Sequence, residues 1–312
     1  MSGESGDEFA FLDWIRSQGS PGRERIVIDI GDDACAVDVS GRKLVLITAD
    51  MLLEGTHFDL STASPRQVGR KAVAVNLSDV AAMGVPAAVL VVTVGLRRGC
   101  GVAFARELYG GMRELADRFG VPIAGGDVTS WADGLAISIT ALGTDEGLEP
   151  VRRSGARPGD VICVTGDLGG SLVRRHLEFE PRLREGVTLN RTFELHAMID
   201  ISDGLVADLG HILAESGVGA EVEASAIPVS ADAVEAASRS GRSALERALS
   251  DGEDFELLFT LAETEAERLL RSAPFETAVT RIGRIVEGSC LKLLDDDGGE
   301  RQLDIEGYEH EF

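Results

Sequence analysis

The sequence predicts a mixed α/β protein (α/β or α+β) built from two domains. Segments rich in β-branched residues alternate with helical segments from residue 26 onward, and a chain of 312 residues is longer than one ordinary domain. The apolar content of 44 % is enough to give each domain its own core. A loop rich in Gly, Pro and charge lies at 144–158. We therefore predict domains of residues 1–147 and 148–312.

The first half is predicted to consist of strands interrupted by two helices. Residues 65–83 have the apolar spacing of a helix, and Gly84 followed by Pro86 ends it. A second helix over 102–119 is closed by Gly120. Segment 87–96, the longest apolar run, is expected to be a buried strand. The other strands are predicted at 26–30, 34–39, 43–48, 122–124 and 135–143.

The second half continues this alternation with shorter segments. Leu205–Ser216 is predicted as a helix, and 169–177 as the start of another. Residues 198–201 are extended, and the alternation of apolar and polar residues places Asp200 and Ser202 on one face. Further strands are predicted at 160–165 and 255–260, and a turn at 295–299.

The charge balance excludes several classes of protein. With 30 Lys and Arg against 53 Asp and Glu, the net charge is −23. Such a surface repels phosphate backbones and anionic headgroups, so we expect neither a nucleic acid nor a membrane as partner. The run 87–96 is about half as long as a membrane-spanning helix, and the acidic first residues lack the features of a signal peptide. We predict a soluble, cytoplasmic protein.

A few aspartates stand where a surface carboxylate has no evident role. They follow apolar strands, flank glycine or lie inside an apolar helix: Asp33, Asp50, Asp79, Asp127, Asp200 and Asp203. Strand ends are where open sheets tend to bind ligands. Asp79 lies within a helix and shares a face with Asn76, and Asp203 stands where a helix N-cap would. Each alone has an ordinary explanation as a turn, a cap or a chance acid.

Brought together, these carboxylates would need cations, and Mg²⁺ is the natural one for carboxylate oxygens. Magnesium held by aspartates indicates phosphoryl transfer, because the negative charge of a polyphosphate must be neutralised by Lys and Arg side chains or by metal ions. The sequence contains neither a P-loop nor a protein-kinase signature. The run Gly166-Asp-Leu-Gly-Gly-Ser171 is either a phosphate cradle or a tight strand-to-helix turn.

Seven blocks of sequence, in order, resemble the thiamine-monophosphate kinase family. The resemblance runs from about residue 8 to residue 308. The blocks are Gly31-Asp-Asp33, Thr48-Ala-Asp-Met-Leu-Leu-Glu-Gly-Thr-His-Phe58, Lys71-Ala-Val-Ala-Val-Asn-Leu-Ser-Asp-Val-Ala-Ala-Met-Gly84, Gly125-Gly-Asp127, Arg153-Ser-Gly-Ala-Arg-Pro-Gly-Asp160, Ile199-Asp-Ile-Ser-Asp-Gly-Leu205 and Ser250-Asp-Gly-Glu-Asp-Phe-Glu-Leu257.

This resemblance implies an aminoimidazole ribonucleotide synthetase-like fold in a homodimer, with the N-terminal sheet pairing across the two subunits. It implies that ATP phosphorylates thiamine monophosphate to thiamine diphosphate, the last step in making that cofactor. The Mg²⁺ ligands it implies are Asp33, Thr48, Asp50, Asp79, Asp127, Asp200 and Asp203. The ATP contacts are Tyr109, Gly126, Asp127, Arg153 and Ser202, and the substrate contacts are His57, Glu253 and Tyr308. Ala49 stands where the family commonly has a hydroxyl residue, so a metal contact there would use its backbone carbonyl.

The residues themselves favour direct in-line transfer, because no nucleophile stands beside a base and a phosphate acceptor is already ionised. Two alternatives remain open at this point. One is another enzyme of the same superfamily, such as aminoimidazole ribonucleotide synthetase, selenophosphate synthetase or the hydrogenase-maturation dehydratase. Against the last two, the chain does not end in cysteine and has no Cys–Lys pair before Gly31. The other is a non-catalytic protein that binds divalent cations or nucleotides.

Overall fold

A computed structural model describes residues 26–28, 32–38, 44–173, 175–295 and 297–304. The strands are β1 Ile26–Ile28, β2 Cys35–Asp38, β3 Leu44–Leu53, β4 Ala87–Arg97, β5 Ile123–Trp131, β6 Ala136–Thr144, β7 Val161–Thr165, β8 Leu195–Asp200, β9 Gly219–Glu223, β10 Leu257–Leu261, β11 Val279–Val286, β12 Leu291–Leu294 and β13 Glu300–Gln302. The α-helices are α1 Pro65–Ala82, α2 Gly101–Phe119, α3 Leu183–Thr192, α4 Leu205–Ser216, α5 Ala231–Ala237, α6 Ala244–Ser250 and α7 Glu263–Ser272.

The strands form two sheets, one from each half of the chain. The first has the order β1-β2-β3-β6-β4-β5, and the second has the order β13-β12-β9-β11-β7-β10-β8. Both sheets are mixed, because β4 pairs with β5 and β9 with β12 in parallel while the other pairs are antiparallel. The predicted mixed α/β class is confirmed. The proposed domain boundary at 147/148 falls in the segment between the two sheets and remains a prediction.

Helix α1 lies at the centre of the molecule, where the sequence predicts a helix. Ser64 caps it in a capping box with Gln67, and Pro65 occupies the first turn. The helix packs against β3, β6 and α2, and also against α3 and β8 of the second half. Gly69 allows the close approach of α2, since a Cβ there would lie 2.0 Å from the carbonyl oxygen of Leu108. Helix α1 therefore carries its side chains into the space between the two halves.

Two strands of the first sheet are longer than predicted. Strand β3 continues to Leu53 because it pairs with β6 as far as Ala136. Strand β5 continues to Trp131 alongside β4. The expectation that Asp50 and Asp127 stand at strand ends is therefore wrong, since both lie within strands. Cross-strand pairing sets where a strand ends, and it continues here beyond the local apolar runs.

The first sheet has one face covered by helices and one open face. Val92 and Val94 of β4 are buried, whereas Val91 and Thr93, which point the other way, are exposed. The expected burial of this strand therefore applies to only one of its faces in the single chain. Strand β5 lies at the edge of the sheet, and all its residues from 124 to 131 are exposed.

The second sheet is buried more completely, and every residue of β7 and β10 is buried. Helix α4 has the predicted bounds, and the turn at 295–299 is confirmed, with the Gly298 N–H donating to the Asp295 carbonyl at 3.0 Å. The helix predicted at 169–177 is instead two short 3₁₀ turns, Ser171–Val173 and Arg175–Leu177. Among the described residues, no helix has both the length and the apolar character needed to cross a membrane.

Candidate active site

A cavity of about 810 Å³ lies between the two halves of the chain. Strand β3 and helix α1 bound it on one side, and the start of α4 and the segment at 250–255 bound it on the other. Many of the residues predicted from the sequence line it. They are Asp50, His57, Asp79, Arg153, Ser202, Asp203 and Glu253.

One end of this cavity is strongly acidic, and we call it the carboxylate cluster: Asp33, Asp50, Asp79, Asp200, Asp203 and Asp208. Ligand oxygens of Asp33, Asp79 and Asp200 lie within 4.8 Å of one another. Ligand atoms of Asp203, Asp208 and His211 form a second group within the same distance. The structure thus brings together five of the six aspartates singled out in the sequence.

Strand β3 and helix α1 hold part of the cluster through side chains that face each other. The Thr48 hydroxyl donates to Asp79 Oδ2 at 2.5 Å. Two residues along the strand, the Asp50 N–H donates to Asn76 Oδ1 at 3.3 Å, so Asn76 and Asp79 do share the predicted face. Ser78, which directly precedes Asp79 on the helix, donates to Asp200 Oδ2 at 2.5 Å and so connects α1 to β8.

The start of α4 supplies the rest of the cluster. Asp203 is not the N-cap, because that position is Gly204. Asp208 Oδ2 accepts the N–H groups of Asp203 and Gly204 at 3.0 and 3.1 Å, so it serves as the acceptor for this helix start. Asp208 and His211 were not predicted from the sequence. Their spacing, three residues apart on one helix face directly after Asp203, is the signal that could have found them.

Arg153 gives the cluster a positive charge. Its guanidinium donates to both oxygens of Asp33, through Nε at 3.2 Å and Nη2 at 3.1 Å, and its N–H donates to Asp32 Oδ1 at 2.6 Å. Burial disfavours the guanidinium charge, but the charges of Asp33, Asp200 and Asp208 and the hydrogen bonds to Asp33 together outweigh it and raise the pKa of Arg153. Arg153 is therefore a side chain of the cavity wall.

The carboxylates of the cluster raise one another's pKa. Burial is the main cause for Asp79, followed by the charges of Asp50 and Asp200, and burial with the charge of Asp33 raises the pKa of Asp200. The pKa of Asp50 rises to about 6 through burial and the charge of Asp203. Buried oxygen donors that repel each other at this spacing fit a hard divalent cation such as Mg²⁺.

The other end of the cavity holds two of the predicted substrate contacts, His57 and Glu253. The Leu53 N–H donates to His57 Nδ1 at 3.0 Å, so the neutral ring carries its proton on Nε2. The ammonium group of Lys71 donates to the His57 carbonyl at 2.7 Å and to both oxygens of Glu253 at 2.6 and 2.8 Å. Lys71 was not predicted from the sequence as a site residue. Tyr308, the third predicted contact, lies outside the described residues.

Residues 250–256, which we call the paired segment, are also acidic. Each side-chain carboxylate there forms a salt bridge with an Arg or Lys side chain. The pairs are Asp251 with Arg242 and Arg247, Glu253 with Lys71, Asp254 with Arg175, and Glu256 with Arg182. Two carboxylates of the segment also accept the backbone N–H groups of the glycine run, Gly169 at 2.7 Å and Gly170 at 3.2 Å. Because these donors are occupied, the run is a tight turn and the phosphate-cradle interpretation is wrong.

Three predicted ATP contacts lie elsewhere. Tyr109, Gly126 and Asp127 line a second cavity of about 320 Å³ between α2 and strands β4 and β5. Asp127 pairs with Thr93, Thr93 with Ser138, and Ser138 with Met51. Three ladder steps of about 4.8 Å separate Asp127 from β3 by roughly 14 Å. The single chain does not bring Asp127 to the carboxylate cluster.

Comparisons with known proteins agree with this architecture. The chain matches the AIR synthase related protein N-terminal domain over residues 31–144 and the corresponding C-terminal domain over 157–296. It is 41 % identical over 290 residues to thiamine-monophosphate kinase from Rhodopirellula baltica, covering 89 % of each chain. Its structure resembles AaThiL complexed with AMPPCP and TMP, with a TM-score of 0.83, 30 % identity and 97 % of each chain covered.

The hydrogenase-maturation alternative receives support at the level of the fold alone. HypE from Escherichia coli has a TM-score of 0.70 with this chain at 22 % identity, covering 84 % of this chain and 86 % of that one. The identity of 22 % to HypE shows a shared fold only, whereas the identity of 41 % to the Rhodopirellula baltica kinase shows membership of the same family. The chain belongs to the thiamine-monophosphate kinase family, and both of its domains are of the AIR synthase related type.

Proposed function

We propose that this chain transfers the γ-phosphoryl group of ATP to thiamine monophosphate and so forms thiamine diphosphate. The observation that carries the proposal is the cavity between the two halves, which has the carboxylate cluster at one end and His57 with Glu253 at the other. Such a cavity suits an acceptor with a phosphate at one end and an organic ring at the other. Relatives of this chain are thiamine-monophosphate kinases, and AaThiL has been solved with both an ATP analogue and TMP.

Mg²⁺ completes the site, and Asp33, Asp79 and Asp200 are the residues that would hold one such ion. We assign Thr48, Asp50 and Asp203 to further metal contacts. Bound there, Mg²⁺ would neutralise the repulsion between donor and acceptor phosphates. A metal-neutralised site explains how so acidic a protein handles two anionic substrates.

The chain's own residues bind and orient the reactants. Arg153, oriented by its two hydrogen bonds to Asp33, supplies a positive charge, and we assign it with Ser202 to the polyphosphate. His57 offers an Nε2–H donor, and Glu253 an acceptor, to the ring of the substrate. Because the phosphate acceptor is already ionised, no general base is required, and transfer proceeds directly in line.

We further propose that the active form is a homodimer. Val91 of β4 and Met51 of β3 are exposed on the open face of the first sheet, and no strand of the described residues pairs with the outer edge of β5. Such faces and edges normally pair with another chain. A second copy is also the way to bring Asp127 to the metal ligands, because its own cluster is roughly 14 Å away.

Mixing two inactive variants tests this arrangement. If the partner contributes Asp127, D79N and D127N homodimers are both inactive, but a hybrid dimer has one intact site, formed by D79 of one subunit and D127 of the other. We expect co-refolded mixtures to regain about a quarter of the parental activity, since random pairing makes half the dimers hybrid. A mixture as inactive as either variant would rule out the shared site.

Direct detection of the product tests the proposed reaction. Purified protein with ATP and Mg²⁺ should form thiamine diphosphate from thiamine monophosphate and none from free thiamine. A protein that merely binds nucleotides or cations would retain ATP and Mg²⁺ but release no ADP when the substrate is added. Location in the cytoplasm remains a prediction.

A further inference from the structure

Lys71 is a fully buried charged side chain next to the cavity, and neither metal binding nor phosphoryl transfer as proposed above uses it. Its side chain is 0 % exposed, whereas that of Glu253, its partner, is 21 % exposed. Lys71 is also one of three lysines in the chain, among 30 basic residues. A buried ammonium group is costly unless it is paired, so its retention in an apolar helix calls for an explanation.

All three bonds of the ammonium group go to the residues assigned to the substrate ring. One reaches the carbonyl of His57, in the loop after β3, and two reach the carboxylate of Glu253, in the paired segment. These two residues come from opposite halves of the chain, 14 and 182 positions from Lys71. Lys71 thus fixes both sides of this end of the cavity relative to each other.

The backbone of Glu253 also needs to be held. Its φ of 63° lies in the left-handed region, as does that of Phe255 at 51°, and non-glycine residues adopt this conformation at a cost. The Glu253 N–H donates to the Ser202 carbonyl at 2.7 Å, so the main chain is anchored. The Lys71 bonds anchor the side chain in the same way.

Helix geometry connects this end of the cavity to the metal end. Lys71, Val75 and Asp79 follow one another at intervals of four residues and therefore lie along one face of α1. At a rise of about 1.5 Å per residue, Lys71 and Asp79 are roughly 12 Å apart along the helix. Val75 and Asp79 both line the cavity. One rigid element therefore sets the distance between the ring contacts and the metal ligands.

We propose that Lys71 is the positioning residue of the substrate-ring subsite: it does not touch the substrate, but holds Glu253 and the His57 loop where they can bind it. The inference rests on the proposed reaction. It assigns to the buried Lys71–Glu253 pair a role in the affinity for thiamine monophosphate, separate from the affinity for ATP.

The test compares K71M, E253Q and the double variant K71M/E253Q with the parent enzyme. K292M serves as the matched control, because Lys292 and Glu300 form an exposed pair at 2.9 Å across strands β12 and β13, with side chains 42 % and 56 % exposed. We expect K71M to raise the KM for thiamine monophosphate about tenfold and to leave the KM for ATP within about twofold. K292M should change neither constant.

The double variant separates positioning from general structural support. If Lys71 acts through Glu253, the KM of K71M/E253Q for thiamine monophosphate stays within about threefold of that of E253Q, because the two losses are not additive. If E253Q also raises the KM for thiamine monophosphate about tenfold, independent losses would multiply to about a hundredfold in the double variant and overturn the proposal. An equal rise of the KM for thiamine monophosphate and the KM for ATP in K71M would overturn it too. Should K71M fail to fold, E253Q and the double variant carry the same comparison, since the double variant leaves no unpaired charge.

The outcome also distinguishes this inference from the proposed function. A parent protein that forms no thiamine diphosphate overturns both. An active parent whose K71M variant keeps both KM values within about twofold overturns the role of Lys71 alone.

Discussion

The carboxylate cluster and the paired segment lie on the same cavity and consist of the same residue types, but they balance their charge differently. In the paired segment, Asp251, Glu253, Asp254 and Glu256 each bond an Arg or Lys side chain. In the cluster, Asp33 bonds a base, Arg153, but the pKa values of Asp50, Asp79 and Asp200 are raised by burial and by the charge of neighbouring carboxylates. The number of acids is therefore a poor guide to a metal site, and the partner of each acid is a better one.

The size of the repulsion shows why the difference matters. Two carboxylates about 4.8 Å apart repel by about 3 kcal/mol at an effective dielectric constant of about 20. The cluster can lower this energy by binding protons or cations, whereas the paired segment has already done so with its own side chains. The two regions should therefore respond in opposite ways to mutation, to Mg²⁺ and to pH.

The largest expected effect is the loss of catalysis when a ligand is removed from the cluster. Asp79→Asn should lower kcat/KM by about a thousandfold or more, equivalent to about 4 kcal/mol. The metal-free variant should be at least as stable as the parent, because the substitution removes a repelling charge. Steady-state kinetics and denaturant unfolding check both statements. Near-normal turnover would contradict the metal role, and D117N at an exposed site is the control.

A substitution in the paired segment should lower stability and leave kcat/KM almost unchanged, the opposite of the result expected for Asp79→Asn. Glu256 accepts from Arg182 at 2.7 and 2.5 Å and from the Thr165 hydroxyl at 2.6 Å. Glu256→Gln removes the charge that Arg182 bonds and leaves the guanidinium with the longer ion pair to Glu185 at 3.9 Å, so we expect the free energy of unfolding to fall by about 3 kcal/mol. The kcat/KM of the folded fraction should stay within about twofold.

An exposed ion pair provides the comparison for this prediction. Arg281 and Glu263 are 41 % and 49 % exposed, and Glu263→Gln should cost less than about 1 kcal/mol. If Glu256→Gln costs no more than Glu263→Gln, the paired segment does not contribute stability in the way described.

The smallest expected effect is a change in how strongly Mg²⁺ raises the melting temperature at different pH values. The pKa of Asp50 is about 6 in the folded protein against 3.8 ordinarily, so the folded state binds more protons between these values. The stability of the metal-free protein should therefore fall as pH rises through this range. Mg²⁺ replaces the lost protons, and it should raise the melting temperature by roughly 3 °C more at pH 8 than at pH 5.5.

The paired segment supplies the control for this measurement. Asp79→Asn should lose most of the Mg²⁺-dependent shift, because a ligand is missing, whereas Glu256→Gln should keep it. A shift of equal size in both variants would mean that Mg²⁺ does not bind at the cluster.

Part of the fold could be read from the sequence because its signals are local. The ends of α1 depend on Ser64, Pro65 and Gly84, which are adjacent to it, and the ends of α4 were likewise predicted. The lengths of β3 and β5 depend on pairing with distant strands and were underestimated. The short helices α5 and α6 were missed, because each holds less than two turns of pattern.

The site residues, like the elements of the fold, divide into those that local sequence signals identify and those that depend on distant partners. Asp79 was noticed because an acid interrupts an apolar helix, and Lys71 presents the same signal eight positions earlier. In an isolated sequence that signal does not say whether a buried charge is paired within the protein or left for a ligand. The glycine run at 166–171 was equally ambiguous until Asp251 and Asp254 were found on its N–H groups.

The sequence by itself determined the family, the residue types of the site and the central helix, because each of these depends on neighbouring residues or on ordered blocks. The tertiary structure decided which acids pair with Arg or Lys and which lie close to one another with raised pKa values. Lys71 and Glu253 are separated by 182 positions, and Arg182 and Glu256 by 74. Electrostatic energy depends on distance in space, and the fold alone sets that distance for residues so far apart in the chain.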